Sequence, residues 1–162
     1  MKEAVYSRFE FVGIGGNRLI FEGKSPRSEY LAAYNRVDIA LSPFPYGGGT
    51  TSAEGLWMGV PVITKRGDHF LSHLGESIAH NTGLSNWIAS DEDDYVAKAV
   101  EFSSNLDDLA ILRSRLRAQV VSSPLFHTER FGNHFERALR HMWGAKHKYI
   151  NSSEKESKEG LN

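Results

Sequence analysis

The segment at positions 37–64, VDIALSPFPYGGGTTSAEGLWMGVPVIT, contains two strand-like apolar runs joined by a glycine-rich loop and a short helical pattern. Val37–Ser42 and Val60–Thr64 have the short, apolar character of buried strands. Between them, the pattern predicts a helix from about Thr51 to Met58, which Gly59 ends. A strand, a helix and a second strand in this order form a βαβ unit, in which the two strands lie parallel in one sheet.

The residues before this segment predict further elements of the same kind. An opening helix is predicted to end at Gly13, and the apolar run Arg18–Gly23, RLIFEG, indicates a buried strand. In the following segment, SPRSEYLAAYNR, Ser25 is a candidate cap and Pro26 suits the first position of a helix. This alternation of strands and helices predicts an α/β fold, a Rossmann-like parallel sheet with flanking helices.

The second half of the chain has mainly helical patterns. One predicted helix ends on Gly83, and the acidic run at 91–94 favours the start of another. A last helix is predicted over about Thr128–Trp143, which gives the fold a helical C-terminal end. We therefore expect one folded domain over residues 1–150 and a disordered tail over the polar residues 151–162. The apolar stripe of a further helix comprises Leu106, Leu109, Leu112, Leu116 and Val120.

Composition excludes several classes of function. With a formal net charge of -1, the chain has no general electrostatic attraction for nucleic acid or for an anionic membrane. No apolar run of the sequence is long enough to cross a bilayer, so we expect no membrane contact. Cysteine is absent, which excludes disulfides and thiolate chemistry and is compatible with a reducing compartment. We therefore expect a cytoplasmic protein.

The glycine-rich segment lies where a ligand binds in many parallel sheets. It follows a predicted strand and precedes a predicted helix, and ligands of open α/β sheets lie outside the carboxyl ends of the strands. Gly48 and Gly49 would let a ligand approach the backbone closely. The helix N-terminus, with the hydroxyl groups of Thr50 and Thr51, would offer donors to a phosphate or diphosphate.

Glu54 lies one helical turn further along and could accept hydrogen bonds from vicinal hydroxyl groups such as those of a ribose. The residues alone leave a second interpretation equally open, in which the glycines form a simple loop and Thr50 or Thr51 caps the helix. The segment lacks the Gly-Lys-Ser/Thr ending of a Walker loop, so ATP chemistry is not indicated.

Four segments together resemble the C-terminal part of the O-GlcNAc transferase family, which includes the SPINDLY-type proteins of plants and bacterial relatives with TPR repeats. They are VDIALSPFPYGGGTTSAEGLWMGVPVIT, LSHLGESIAHNTGL, DEDDYVAKAV and SSPLFHTERFGNHFERALRHMW. The resemblance runs in order from about Arg18 to Trp143. It implies that residues 1–150 are the nucleotide-sugar-binding C-terminal half-domain of a GT-B glycosyltransferase. The implied donor is a nucleotide sugar, with UDP-GlcNAc the first choice and a GDP-sugar a second, and the implied acceptor is a Ser or Thr hydroxyl of a protein.

The resemblance also assigns roles around the glycine segment. Thr50 and Thr51 match threonines that contact the diphosphate, and Glu54 matches the acidic residue that binds the ribose hydroxyls. In this family the helix dipole and the backbone N–H groups hold the diphosphate, so no metal or other cofactor is expected. No catalytic base can be assigned within this chain.

The base-binding part of the family's site is matched by Ser25, Arg27 and Tyr30, which precede the first predicted strand of the βαβ unit. Ser25 and Arg27 match positions that line the nucleobase and the ribose. Tyr30 stands where family members often have a histidine stacked on the base, and its aromatic ring can keep that stacking.

The chain departs from the family pattern in composition and in extent. Ser42-Pro43 replaces an Asp-Thr pair, Gly49 replaces a histidine of some members, and Ala33 replaces a basic residue. The family's N-terminal Rossmann-like half, its TPR helices and a first strand–helix unit with a lysine important to the diphosphate have no counterpart here. We therefore expect this chain alone to be inactive, and we expect apolar surface that would face the missing half to favour self-association. The alternative is a non-catalytic binding or assembly module that keeps the fold without nucleotide affinity.

Two further patterns have ordinary structural interpretations. His69 and His73 are four residues apart, but no His-Glu-x-x-His pattern exists and cysteine is absent, so we expect no metal site. Trp57 and Trp143 lie on apolar stripes with apolar neighbours, which predicts that both pack in the core.

Overall fold

The computed structural model describes residues 2–159, with side chains described over 2–146. The chain divides into two compact units, Met1–Arg36 and Val37–Asn162. No helix of the described residues is both long enough and apolar enough to cross a membrane.

The first unit is helical. Helix α1 spans Lys2–Phe11 and helix α2 spans Arg27–Ala33. Single turns of 3-10 helix form at Gly16–Arg18 and Tyr34–Arg36. Helix α1 ends before Gly13, whose φ of 82° lies in the left-handed region, as the sequence predicts.

The predicted strand at Arg18–Gly23 is wrong, because residues 19–26 have no regular secondary structure. The backbone N–H and C=O groups of a strand form hydrogen bonds with a neighbouring strand. This apolar run makes a side-chain contact instead. Phe21 packs edge-to-face on Tyr6, with 4.8 Å between the ring centroids. Ser25 is also not a cap, since α2 begins after Pro26 and no side chain of the described residues caps it.

The second unit contains the sheet and the remaining helices. The 3-10 turns of this unit lie at Phe70–His73, Ser85–Trp87 and Pro124–Phe126. In chain order, the regular elements are β1 (Ala40–Leu41), α3 (Thr50–Trp57), β2 (Val62–Lys65), α4 (Leu74–Asn81), β3 (Ile88–Ala89), α5 (Glu92–Ser104), α6 (Leu106–Val121) and α7 (Thr128–Glu159).

The sheet is parallel throughout, in the order β1-β2-β3. Ala40 pairs with Val62 on one side of β2, and Thr64 pairs with Ile88 on the other. The predicted α/β fold with a parallel sheet is therefore confirmed. Strand β3 was not predicted, because two residues are too few for a periodic pattern to show.

The core lies around β2, which α3, α4 and α5 contact, and α6 packs on α3 and α5. Ile63 at the centre of β2 is fully buried, and so are Leu116 and Val120 on α6. The predicted stripe of α6 is thus confirmed over most of its length, although its first member, Leu106, is exposed. Trp87 is buried against Phe102, with the ring centroids 4.2 Å apart.

Two glycines end the helices on either side of β2. Gly59 follows α3 with φ 78°, and Gly83 follows α4 with φ 75°. In both cases the next residue donates its backbone N–H to a carbonyl five residues earlier, at 2.9 Å for Val60 to Gly55. A residue with a Cβ rarely adopts this left-handed conformation, so both predicted helix ends are confirmed where glycine stands.

The last helix, α7, is longer than the sequence predicts. It runs to Glu159 instead of ending near Trp143. The predicted core position of Trp143 is wrong, because this side chain is mostly exposed, whereas Trp57 packs on Phe126 with 5.2 Å between centroids. The predicted disordered tail, 151–162, lies outside the residues whose side chains are described and stays a prediction.

Helix α4 packs so closely on β2 that only glycine fits at Gly75. A Cβ at this position would lie 2.0 Å from Oγ1 of the buried Thr64. We expect Gly75→Ala to lower the free energy of unfolding by about 1–3 kcal/mol, because an overpacked methyl group must displace the strand or the helix. Urea unfolding followed by circular dichroism measures this change.

Gly132 in α7 provides the matched control, since a Cβ there would meet no atom within 4 Å. We expect Gly132→Ala to stabilise the chain by about 0.5–1 kcal/mol, because alanine favours a helix interior over glycine. Equal stability of Gly75→Ala and the wild type would contradict the packing described here.

Candidate functional site

The glycine-rich segment follows the carboxyl end of β1, and Ser42 anchors it by a hydrogen bond. The Ser42 side chain is buried, and its Oγ accepts a hydrogen bond from the backbone N–H of Gly48 at 3.0 Å. The Ser42 N–H donates to the carbonyl of Ile63 at 2.9 Å, which extends the β1–β2 ladder by one bond. Ser42 therefore fixes the loop to the edge of the sheet.

Close packing explains the first two glycines of the loop. A Cβ on Gly47 would lie 2.9 Å from Ser42 Oγ, and a Cβ on Gly48 would lie 2.7 Å from the hydroxyl oxygens of both Ser52 and Thr51. Gly49 differs, since a Cβ there would meet no atom within 4 Å. The packing of the loop thus requires glycine at positions 47 and 48, whereas the backbone of Gly49 borders open space.

Helix α3 begins directly after this open position. Gly49 is its N-cap residue, and no side chain among the described residues caps the helix there. The interpretation in which Thr50 or Thr51 caps α3 is therefore wrong. Ser52 is turned inwards, and its hydroxyl donates to the carbonyl of Gly48 at 2.9 Å.

The predicted ligand residues of α3 share its outer side. Thr50 and Thr51 are exposed and Glu54 is half-buried, whereas Ser52 and Gly55 are buried. Thr51 and Glu54 are three residues apart, so they are neighbours on one helical face. The structure thus brings Gly48, Gly49 and these three side chains together at one helix N-terminus.

A second layer of contacts supports the loop from α5 and β2. The hydroxyl of Tyr95 donates to the Ser42 carbonyl at 3.0 Å, and burial raises the pKa of this phenol. The Tyr95 ring packs edge-to-face on Phe44, with 5.2 Å between centroids. Lys65 places its Nζ 4.5 Å from the Phe44 ring centroid and 3.7 Å from a Glu92 carboxylate oxygen. An aromatic ring and a cation therefore hold the start of the loop.

A charged cluster is centred on Glu76 in the first turn of α4 and includes Arg66, which follows β2. Nε and a terminal nitrogen of Arg66 donate to one carboxylate oxygen at 2.9 and 2.7 Å, and His73 Nδ1 lies 2.8 Å from the other. Nε2 of His80 lies 3.6 Å from the Glu76 carboxylate oxygen that Arg66 contacts. The hydrogen bond with His73, assisted by Arg66, lowers the pKa of Glu76. Within residues 2–146 no three acidic or histidine side chains are arranged to hold a metal ion, and His73 is part of this ionic cluster.

The remaining predicted ligand residues belong to the first unit. Ser25 is exposed in the segment before α2, and Arg27 is the exposed first residue of that helix. Tyr30 is half-buried, and its hydroxyl lies 2.9 Å from the hydroxyl of Tyr34, one turn along the helix. Tyr34 was not singled out from the sequence, although a spacing of four residues between two tyrosines on a helix predicts such a contact.

Taken by its chemistry, the site of the second unit favours an oxygen-rich anion. An uncapped helix N-terminus carries backbone N–H groups and the positive end of the helix dipole. The open space at Gly49 lets a ligand reach these groups. The supporting side chains of Ser42, Tyr95 and Lys65 were not predicted, because each acts through contacts between segments that are distant in sequence.

The two central glycines of the loop offer a matched test of this geometry. We expect Gly48→Ala to cost about 1–3 kcal/mol of unfolding free energy, because its methyl group would collide with two hydroxyl oxygens. Gly49→Ala has space for the methyl group and should cost less than about 1 kcal/mol. Urea unfolding of both variants measures the difference. Equal losses would show that the loop is not packed as described.

The Glu76 cluster predicts a dependence of stability on pH. Because the pKa of Glu76 is lowered in the folded chain, its ionised form stabilises the fold at neutral pH. That contribution disappears as the pH falls below the usual value of 4.5 and through the lowered value. We expect Glu76→Gln to cost about 1 kcal/mol at pH 7, with the gap to the wild type closing in acid.

Denaturant unfolding at several pH values between neutrality and the acid range measures this effect. Asp68→Asn makes the corresponding change from carboxylate to amide on an exposed side chain of the loop after β2. It should change stability by less than about 0.5 kcal/mol at any of these pH values. A pH-independent difference between Glu76→Gln and the wild type would contradict the role given to the carboxylate.

Comparisons with known proteins agree with this architecture. The profile of Glycosyl transferase family 41 matches residues 2–135. The chain is 38% identical over 115 residues to the probable UDP-N-acetylglucosamine–peptide N-acetylglucosaminyltransferase SPINDLY of Solanum lycopersicum. That match covers 71% of this chain and 12% of the tomato protein. The SPINDLY protein of Eustoma exaltatum subsp. russellianum is 40% identical over 121 residues, which are 75% of this chain and 13% of the relative.

A solved structure shows the same fold. A mutant of the O-GlcNAc transferase of Thermobaculum terrenum matches with a TM-score of 0.81 and 35% sequence identity, over 87% of this chain and 27% of that chain. The chain therefore spans only a small part of the length of the relatives that it matches. The resemblance inferred from the motifs is confirmed, and so is the fold expected from it, the C-terminal region of a GT-B architecture. The chain belongs to glycosyl transferase family 41 and is similar to the C-terminal region of the O-GlcNAc transferases and SPINDLY-type proteins.

Proposed function

We propose that this chain is the donor-binding part of a glycosyltransferase that moves GlcNAc from UDP-GlcNAc to a Ser or Thr hydroxyl of a protein. Membership of glycosyl transferase family 41 supports the reaction class. The SPINDLY relatives are named as probable UDP-N-acetylglucosamine–peptide N-acetylglucosaminyltransferases, which gives both a donor and a peptide acceptor for those proteins. The uncapped N-terminus of α3 beside the open Gly49 position is the observation that carries the proposal.

In this proposal the donor's diphosphate lies at the start of α3. The backbone N–H groups of the first turn and the hydroxyls of Thr50 and Thr51 donate to its oxygens. The diphosphate carries the negative charge that the positive end of the helix dipole favours. No cation is required at this point, because the helix N-terminus and the hydroxyls supply the positive ends of the interaction.

The nucleoside is assigned to the side chains that the family pattern identifies. Glu54 accepts hydrogen bonds from the two ribose hydroxyls, and its position three residues after Thr51 places it on the same helical face. Ser25 and Arg27 line the base and ribose, and Tyr30 stacks on the base. These roles follow from the family pattern, and each can be removed by a single substitution.

Transfer breaks the bond between the sugar's anomeric carbon and the diphosphate oxygen and forms a bond from that carbon to the acceptor hydroxyl oxygen. Negative charge develops on the leaving UDP, so donors fixed in place before the reaction lower the barrier. The residues around α3 provide such donors. The acceptor hydroxyl gives its proton to a catalytic base, and no residue of this chain is assigned as that base. Its location is proposed to be the cytoplasm.

The alternative function is a binding or assembly module that keeps the fold without nucleotide affinity. The substitution of a basic residue by Ala33 in α2 favours this alternative, since it removes one cation of the family pattern. Nucleotide binding decides between the two functions, because both predict the same fold.

We expect UDP to bind the 162-residue chain more tightly than GDP and to shift the backbone amide resonances of residues 48–54. Thr51→Ala and Glu54→Ala should each weaken UDP binding by about tenfold, the scale of one or two hydrogen bonds to a charged or hydroxyl-rich ligand. Titration by isothermal calorimetry and by amide chemical shifts measures both the affinity and its location.

Ser114→Ala and Glu101→Ala are the controls, because they likewise remove a hydroxyl and a carboxylate from exposed parts of α6 and α5. Both should bind UDP as the wild type does. Absence of UDP and GDP shifts at millimolar concentration would favour the module without nucleotide affinity. Binding that is insensitive to Thr51 and Glu54 would place the nucleotide elsewhere on the chain.

A further inference from the structure

A cavity of about 370 Å³ lies in the second unit, between α5, α6 and the turn at 83–87. The residues that line it fall within positions 83–119, whereas the glycine-rich segment and the start of α3 fall within 42–54. Pockets that hold small organic molecules have volumes of about 300–1,000 Å³. The cavity is therefore large enough for a small ligand and is separate from the site at α3.

The apolar part of the cavity wall is fixed by contacts within the fold. Trp87 and Leu109 are buried, and the Trp87 ring packs on Phe102 with 4.2 Å between centroids. Nε2 of Gln119 donates to the Thr82 carbonyl at 2.6 Å, which ties α6 to the turn that carries Trp87. The wall is thus formed before any ligand binds, as in most small-molecule sites.

Trp87 also brings an unpaired hydrogen-bond donor to the cavity. This residue lines the cavity and is only 3% exposed. Within the described residues its indole Nε1–H forms no hydrogen bond, although every fully buried side-chain nitrogen or oxygen there has a partner. The Nε1–H therefore reaches accessible space, whereas a buried indole N–H usually has an acceptor. A ligand in the cavity would supply that acceptor.

Two opposite charges line the cavity from different helices. Glu101 lies in the last turn of α5 and Arg115 lies on α6, and neither has an ion-pair partner among the described residues. The last turn of α5 contains no basic residue, so Glu101 adds its charge to the negative end of the helix dipole and favours a cation there. Asp108, the other acidic residue of the wall, already accepts a hydrogen bond from the Asn105 amide.

We propose that this cavity binds a free aromatic α-amino acid as its zwitterion. The ammonium group pairs with Glu101 at the end of α5. The carboxylate pairs with Arg115, whose planar guanidinium matches two carboxylate oxygens, and it is also an acceptor for the Trp87 N–H. The aromatic side chain packs on the rings of Trp87 and Phe102.

The two charges select a zwitterion over a simple amine or a simple acid. An amine would pair with Glu101 alone, and it would bring a second cation towards Arg115. An acid would pair with Arg115 alone, and it would bring a second anion towards Glu101. Like charges in one small cavity discriminate against both, so a ligand with one charge of each sign fits best.

Titration with L-phenylalanine tests the proposal, because this probe carries both charges and an aromatic ring. We expect a saturable shift of the Trp87 indole N–H resonance, with a dissociation constant below about 1 mM. Nitrogen–proton correlation spectra of the 162-residue chain measure the shift, and the spectrum of Trp87→Phe assigns the resonance.

Glu101→Gln and Arg115→Gln should each raise the dissociation constant of L-phenylalanine at least about fivefold, because each removes one charged partner. Glu129→Gln and Arg137→Gln make identical changes on exposed side chains of α7 and should leave the constant within about twofold. All four side chains are exposed, so all four variants should keep the circular dichroism spectrum of the wild type.

Two analogues of the probe separate its charges. Phenethylamine lacks the carboxylate and 3-phenylpropionate lacks the ammonium group, and each should bind at least about fivefold more weakly than L-phenylalanine. Arg115→Gln should leave the affinity for phenethylamine within about twofold, because that ligand has no group for Arg115 to bind.

Three results would overturn the proposal. The first is a Trp87 resonance that does not move at about 10 mM L-phenylalanine. The second is equal affinity for L-phenylalanine and phenethylamine, since the cavity would then recognise an amine only. The third is equal weakening by the cavity variants and the α7 variants, since Glu101 and Arg115 would then take no specific part.

Discussion

The loop that precedes α3 depends on three interactions of one buried residue, Ser42. Its N–H continues the parallel ladder to Ile63, its hydroxyl accepts the N–H of Gly48, and its carbonyl accepts the hydroxyl of Tyr95. Strand β1, the loop and α5 therefore meet at a single residue. Since Ser42 is buried, loss of a partner would leave a polar group that water does not readily reach. This residue fixes where α3 starts.

The β1–α3–β2 unit could be predicted because its signals are local. Gly59 and Gly83 end helices through a conformation that only glycine adopts readily, and the apolar runs on either side of α3 have no other stable place than a sheet. The predicted strand at 18–23 failed for the complementary reason. Its apolar residues fit a strand, but Phe21 of this run packs on the Tyr6 ring and the run does not pair with a neighbouring strand.

The glycine-rich segment of the candidate site could be predicted, whereas the side chains that hold it in place could not. A loop with three glycines between a strand and a helix is compatible with an anion site and equally with a simple loop, and the family resemblance favours the anion site. The sequence could not separate the glycines that pack against hydroxyls, Gly47 and Gly48, from Gly49, which faces open space. That distinction depends on where Ser42 and Ser52 lie in the fold, and their positions are set by contacts with β2 and with the interior side of α3.

The serine at position 42 is also one of the positions where the chain departs from the family pattern. In the structure, this serine supplies a hydrogen bond that holds the glycine loop at the carboxyl end of β1. A substitution that preserves loop geometry is a weak argument for loss of the ligand, because the backbone donors of α3 keep their position whichever side chain supplies the anchor. The argument for the non-catalytic alternative then depends on Ala33. At this position a basic side chain of the family pattern is absent, and alanine supplies no hydrogen bond in its place. The loss of a cation at Ala33, and not the form of the glycine loop, is therefore the argument that remains for the non-catalytic alternative.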